Sequence, residues 1–123
     1  MSRRALALML VSHDFARLRA ALAFARAEIA LGGGASLFLQ GEAAALLRAP
    51  IADPKDAAWT AAGEPALAAL LDEALDDGVT ISLCQSGLAM AGMEAATLDK
   101  RIELTGPVAF LAKAGPDIRL LAM

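Results

Sequence analysis

The sequence is poor in the residue types that build disulfide frameworks, metal sites and stacking surfaces. It has no tyrosine, one tryptophan, four phenylalanines, one cysteine and one histidine among 123 residues. A single cysteine excludes an internal disulfide framework, and with one histidine it leaves a recognisable zinc site short of ligands. We therefore predict no metal site. The few aromatic side chains also argue against stacking on single-stranded nucleic acid.

Charge and long apolar runs are scarce as well. Only 20% of the residues are charged, the net charge is −3, and the basic residues form no stripe, so we predict no nucleic-acid partner. No stretch approaches the roughly 20 apolar residues of a membrane span, and we predict no membrane association. The apolar run 5–11 lacks a small-residue cleavage site after it, which favours a cytoplasmic protein over an exported one.

What the chain has in abundance is apolar side chains that are not branched at Cβ. Hydrophobic residues make up 58% of it, with 31 Ala and 21 Leu against only three Val and five Ile. Alanine is small, so the elements are expected to pack closely around a thin core. A chain of this length commonly forms one domain with enough buried surface to fold without metal or disulfides. We predict a single domain over residues 1–123.

Short apolar runs alternate with helical patterns along the chain. The predicted strands are Ala5–Val11, Ala35–Gln40, Val79–Cys84, Arg101–Leu104 and Asp117–Ala122. The predicted helices are one with an apolar stripe of Phe15, Leu18, Leu22, Ala25 and Ile29, then Glu42–Arg48, one beginning at Glu64-Pro65, Leu88–Met93 and Pro107–Lys113. Residues Ala49 to Gly63, around Trp59, are predicted to form an irregular lid or interface segment, and Gln85-Ser86-Gly87 is predicted to turn the chain after the third strand.

The alternation of strands and helices predicts the fold class. It is typical of a three-layer α/β/α sandwich with a five-stranded, mainly parallel sheet in a flavodoxin-like layout. The strands show no alternation of polar and apolar residues, as expected where helices cover both faces of a sheet.

Polar residues follow three of the predicted strands. They are Ser12, His13 and Asp14, then Gln40, Gly41 and Glu42, then Cys84, Gln85 and Ser86. Sites in open parallel sheets form outside the carboxyl ends of the strands. Cys84 stands between a strand and a helix, where free N–H groups favour the thiolate. The alternatives are a buried structural Cys84, a surface His13 rather than a general base, and Asp14 as a helix N-cap.

One segment carries a family resemblance. Cys84-Gln85-Ser86-Gly87-Leu88-Ala89-Met90-Ala91-Gly92-Met93 resembles the cysteine-ended strand and following helix of the DsrE/DsrF-like proteins, including the glycine eight residues after the cysteine. Phe38-Leu39-Gln40-Gly41 and the segment 105–111 are similar to a strand end and the last helix of that family. The sequence departs from the related forms at Gly87 and Ala89, where they carry Ser and Asp.

The resemblance implies a function and an assembly. It implies a sulfur-relay or sulfurtransferase-like protein that carries sulfur as a persulfide on Cys84 and exchanges it with a donor or acceptor protein. It also implies a homo-oligomer, a trimer or hexamer, and no cofactor. The candidate binding residues around the thiol are Ser12, His13, Gln40, Gly41, Gln85, Ser86 and Gly87. The alternatives are a non-catalytic module that binds small ligands or proteins, and a thiol redox sensor.

Overall fold

The computed structural model describes residues 3–123. Met1 and Ser2, which belong to the predicted domain 1–123, lie outside the described residues. The strands are β1 Ala5–Leu10, β2 Ala35–Leu39, β3 Thr80–Cys84, β4 Glu103–Thr105 and β5 Ile118–Ala122. They form one sheet in the order β4-β3-β2-β1-β5, and all of its pairings are parallel. The predicted five-stranded α/β fold is confirmed.

Helices connect the strands. They are α1 Phe15–Ala30, α2 Asp56–Ala61, α3 Leu67–Asp77, α4 Gln85–Met90 and α5 Pro107–Ala114, together with 3-10 helices at Gly41–Leu47 and Ala95–Thr97. The predicted helix Glu42–Arg48 is therefore a 3-10 helix, shifted by one residue. Within residues 3–123, no helix is both long and apolar enough to cross a membrane.

The first face of the sheet is the one that packs against α1 and α3. Its inward side chains are aliphatic, and all but one are large: Leu6, Leu8, Leu10, Ala35, Leu37, Leu39, Ile81 and Leu83. On α1, Leu18, Leu22 and Ala25 are buried against them, which confirms the predicted apolar stripe. The Oδ1 atom of Asp14 accepts the backbone N–H of Arg17 at 3.1 Å, so Asp14 is the helix N-cap.

The second face of the sheet is covered by α5. Phe110 of α5 stacks on Phe38 of β2 with ring centroids 4.9 Å apart. These rings bury Ala7 and Cys84 beside them. The flanking helices leave the edge strand β5 open, and Leu120 and Leu121 on opposite faces of β5 are exposed. The expectation that every strand is covered on both faces is therefore wrong for β5.

Within the segment 49–63, only Asp56–Ala61 form a helix, so the prediction of an irregular segment is wrong there, whereas residues 49–55 and 62–63 lie outside helices and strands as predicted. It contains α2, and Arg19 of α1 holds it in place. The Arg19 guanidinium donates to Asp53 at 2.9 Å and to Asp56 at 2.8 Å, and it lies 4.7 Å from the centre of the Trp59 ring. Local sequence did not reveal this element because a charged residue on a distant helix organises it.

The start of α3 and the bounds of the fourth strand also differ from the predicted ones. α3 begins at Leu67 rather than at Glu64-Pro65, because the carbonyl of Pro65 accepts a hydrogen bond from Arg19 at 3.0 Å instead of entering the helix. The fourth strand runs from Glu103 to Thr105 rather than over Arg101–Leu104, so it ends opposite the end of β3.

Candidate thiol site at the carboxyl edge of the sheet

The connections that follow β3 and β4 leave the sheet toward opposite faces. The connections from β1 through to β4 pack on the first face, where Leu46, Leu70 and Leu98 join its core. The connection from β4 to β5 packs on the second face through Phe110. Connections that leave neighbouring strands toward opposite faces open a crevice at which ligands bind. Cys84 and Thr105 are register partners at that point.

α4 begins immediately after the thiol. Cys84 is its N-cap residue, and residues Gln85 to Gly87 form its first turn. The prediction of a turn at those residues is therefore wrong, and the helix predicted over Leu88–Met93 begins three residues earlier and ends at Met90. A Cβ atom on Gly87 would lie 2.5 Å from the carbonyl oxygen of Gly41 and 3.0 Å from the Cβ of Ala44. Gly87 is therefore a glycine because α4 packs closely against the 3-10 helix that begins at Gly41. A glycine after a strand is also typical of a turn, which is why the sequence predicts a turn here.

The Cys84 thiol is surrounded by hydrogen-bond donors. Its Sγ atom lies 3.0 Å from the Oγ atom of Ser86. Burial alone raises the pKa of the thiol, but hydrogen bonds from the Ser86 side chain and from the backbone N–H groups of Gly87, Gly41 and Ser86 outweigh it. The pKa of Cys84 consequently lies below its ordinary value, which favours the nucleophilic thiolate.

A surface cleft of about 440 Å³ lies beside the thiol. Cys84 is only 2% exposed, whereas Ser86 is exposed and lines the cleft. Ser86 therefore contacts both the thiol and the cleft. Met90 also lines the cleft and is 89% exposed, which places an apolar side chain on this otherwise open surface.

The structure brings several of the predicted site residues together. His13, Gly41, Ser86 and Gly87 all line the cleft, as does Glu42. The His13 ring packs edge-on against Phe15 with centroids 5.5 Å apart. Among the described residues, no hydrogen bond joins His13 to Cys84, so the geometry provides no general base in contact with the thiol.

Other predicted residues lie outside the cleft. The Ser12 hydroxyl accepts a hydrogen bond from Arg17 at 3.3 Å, and Gln85 is exposed on the first turn of α4. Gln40 follows Leu39, the register partner of Leu83, and so reaches the edge beside Cys84. Its Oε1 atom is buried and has no hydrogen-bond partner within residues 3–123.

Sequence reasoning missed Thr105 and Phe110. Thr105 pairs with Cys84 across the sheet, and Phe110 packs in the same buried cluster as the thiol. Thr105 is a polar residue that directly follows the apolar strand residue Leu104, and this pattern is the signal that would have found it. Nothing local marks Phe110, because only the crossover of α5 brings it to Cys84.

A metal does not fit this site. Nowhere in the part of the chain that the structure describes do three His, Cys, Asp or Glu side chains lie together as a metal-binding group. The chemistry available at the edge is that of a single thiol with hydrogen-bond donors around it.

The fold and the site define a parallel α/β protein with a buried, hydrogen-bonded thiol at the switch point of its sheet. A sequence model of the DsrE/DsrF-like family matches residues 6–121, and the chain belongs to that family. The predicted family is thereby confirmed.

Solved structures of two proteins share the fold. One is MTH1491 from Methanobacterium thermoautotrophicum, a protein of unknown function, with 12% identity, a TM-score of 0.72, and coverage of 98% of this chain and 100% of that one. The other is the ychN protein from E. coli, with 19% identity, a TM-score of 0.70 and the same coverage of both chains. Comparison with curated proteins gives no match.

Proposed function

We propose that this protein is a sulfur carrier of a sulfur relay, holding sulfur as a persulfide on Cys84. The observation that carries the proposal is the environment of the thiol, in which the Ser86 hydroxyl and three backbone N–H groups lower its pKa. Sulfur exchange proceeds through a thiolate, so these contacts favour the reactive form. Membership of the DsrE/DsrF-like family, in which sulfur relay occurs, supports the same reading.

The transfer needs no cofactor and no net redox change. The Cys84 thiolate attacks the outer sulfur of a donor persulfide, forms a new S–S bond and releases the donor as its thiolate. In the second step an acceptor thiolate attacks the outer sulfur on Cys84, takes it as its own persulfide and returns Cys84 to the thiolate. The same hydrogen-bond donors stabilise the Cys84 thiolate before the first step and after the second.

The cleft is where a donor or acceptor would approach. Ser86 is exposed at its wall and its hydroxyl lies 3.0 Å from Sγ, so Ser86 is the residue that links the cleft to the thiol. Exposed Met90 offers an apolar contact to a docked protein segment. A reducing cytoplasm, which keeps single thiols unpaired, suits such a carrier.

Mass spectrometry of the intact protein tests the proposal. After incubation with inorganic polysulfide and desalting, the wild-type chain should gain the mass of one sulfur atom, and that sulfur should leave on addition of a small thiol. Cys84→Ser removes the only cysteine and should gain nothing. A wild-type chain that stays unmodified, or a Cys84→Ser chain modified to the same extent, would rule out persulfide formation on Cys84.

The burial of the thiol favours a second candidate function. With Cys84 only 2% exposed, the chain could serve as a non-catalytic module that binds a ligand or protein at the cleft. Under this alternative, Cys84→Ser leaves partner binding unchanged and the wild-type protein accepts no sulfur. The same mass-spectrometric experiment separates the two functions.

Self-association, as a trimer or hexamer, is also part of the proposal. The apolar side chains of Val108 and Leu111 on α5 and of Leu120 and Leu121 on β5 are exposed. Apolar surface of this kind is typical of interfaces between copies. Sedimentation velocity should show an assembly that Leu121→Lys weakens. A wild-type chain that stays monomeric at all concentrations would contradict this part.

A further inference from the structure

Polar side chains interrupt the second face of the sheet beneath α5. Ser36, Thr80, Ser82, Glu103 and Thr105 line a groove there, walled on the other side by α5. The buried residues of the same strands on the first face are aliphatic, namely Ala35, Leu37, Leu39, Ile81 and Leu83. A sheet face built only to pack against a helix is apolar, so this polar set indicates a further role.

The hydroxyls in the groove make no hydrogen bond to any of the described residues 3–123. Within residues 3–123, the hydroxyls that take part in hydrogen bonds are those of Ser12, Thr60, Ser86 and Thr97. The four groove hydroxyls are not among them, although Ser82 is only 2% exposed. Ser36, Thr80 and Thr105 are half-buried, and none of the four oxygens is among the buried atoms that lack a partner within residues 3–123, so the hydroxyls are open to water and to a ligand.

One charge of each sign stands beside the hydroxyls. The Nζ atom of Lys113 on α5 donates to both carboxylate oxygens of Glu103 on β4, at 2.8 and 3.0 Å. Both side chains are exposed in part, so a ligand can reach either. Because the two charges cancel, the groove does not favour a ligand with a net charge. A ligand that carries one ammonium and one carboxylate would match both.

The size of the groove limits the ligand. Its volume is about 190 Å³, below the roughly 300–1,000 Å³ of pockets for drug-sized molecules. Ala109 and Phe110 line the groove with apolar surface, against which a short side chain of the ligand can pack beside the hydroxyls. Hydroxyls both donate and accept hydrogen bonds, which suits a ligand with groups of both kinds.

We infer that the groove beneath α5 binds a small zwitterion of the amino-acid class. Its ammonium group faces Glu103, its carboxylate faces Lys113, and the hydroxyls of Ser82 and Thr105 satisfy the remaining polar atoms. The site does not use the thiol, although Thr105 also neighbours Cys84. Binding in the groove is therefore measurable on the resting protein, whether or not Cys84 carries sulfur.

Titration of ¹⁵N-labelled protein with L-serine tests the inference. Saturable shifts are expected for the amides of Thr80, Ser82 and Thr105. Glycerol, lactate and ethanolamine, which lack one or both charges, should each bind at least about tenfold more weakly, since a charge-assisted hydrogen bond is lost. Shifts confined to the cleft at His13, or equal binding of glycerol and L-serine, would overturn the inference.

Substitutions of groove residues test which side chains bind the ligand. Ser82→Ala should weaken L-serine about fivefold through one lost hydrogen bond, and Lys113→Gln about tenfold or more through a lost charge. Lys100→Gln, an exposed lysine outside the groove, is the matched control and should bind like wild type. An unchanged affinity for L-serine in both groove variants would overturn the inference. The inference would also fail if the chemical shifts of the groove amides changed with protein concentration but not with L-serine.

Discussion

The two faces of one sheet differ in composition, and β3 shows the difference within a single strand. Ile81 and Leu83 point to the first face and are completely buried among leucines. Thr80, Ser82 and Cys84 point to the second face, where the groove and the thiol lie. Stability therefore concentrates on one side of the sheet, and chemistry on the other.

The helices covering the two faces differ in the same way. α1 and α3 bury several large apolar residues each against the first face. α5 buries one residue, Phe110, on the second face and leaves Val108 84% exposed. A lightly covered face can hold polar side chains and admit ligands, because less of its surface is needed for the core.

The largest effect is expected from shortening a residue of the first face. Leu83→Ala should lower the free energy of unfolding by about 3 kcal/mol through lost burial and a cavity. The neighbouring Ser82→Ala on the second face should change it by less than about 1 kcal/mol. Urea denaturation measures both. Equal losses would mean that the two faces contribute alike to stability, contrary to the comparison.

A smaller effect is expected where α4 meets the 3-10 helix that begins at Gly41. Gly87→Ala places a Cβ atom against the Gly41 carbonyl, and it should cost about 2 kcal/mol by overpacking. It should also raise the pKa of Cys84, since the N–H groups of Gly41 and Gly87 would move off the thiol. Urea denaturation and the pH dependence of thiol alkylation measure the two effects.

The control for Gly87→Ala is a substitution on the exposed side of the same helix. Ala89→Ser adds one atom facing solvent and should change stability by less than about 0.5 kcal/mol, with no shift in the thiol pKa. A tolerated Gly87→Ala with an unchanged thiol pKa would show that the close approach to Gly41 is not required.

The sequence was sufficient for the features that depend on local pattern. Apolar runs located all five strands, helical spacing located α1, and the strand-end rule selected Cys84 before any contact was known. It failed where distant residues decide the conformation. Arg19 orders α2 from another helix, and packing against Gly41 turns Gly87 from a chain-reversal signal into a helical residue. The polar groove was not predicted, because its residues meet only when α5 crosses the second face.

A clear change in chemistry with little change in stability is expected from Ser86→Ala. The variant removes the side-chain hydrogen bond to Cys84, so the pKa of the thiol should rise toward its ordinary value. The rate of iodoacetamide alkylation should then reach half-maximum at a higher pH than in wild type, while the free energy of unfolding changes by less than about 1 kcal/mol.

The control is Ser12→Ala, which alters a serine at the same edge of the sheet whose hydroxyl accepts from Arg17 instead. This variant should keep the wild-type midpoint of the pH profile. If the midpoints of wild type and Ser86→Ala coincide, the backbone N–H groups alone set the reactivity of the thiol. A shifted midpoint at unchanged stability would separate the chemistry of the second face from the packing of the first.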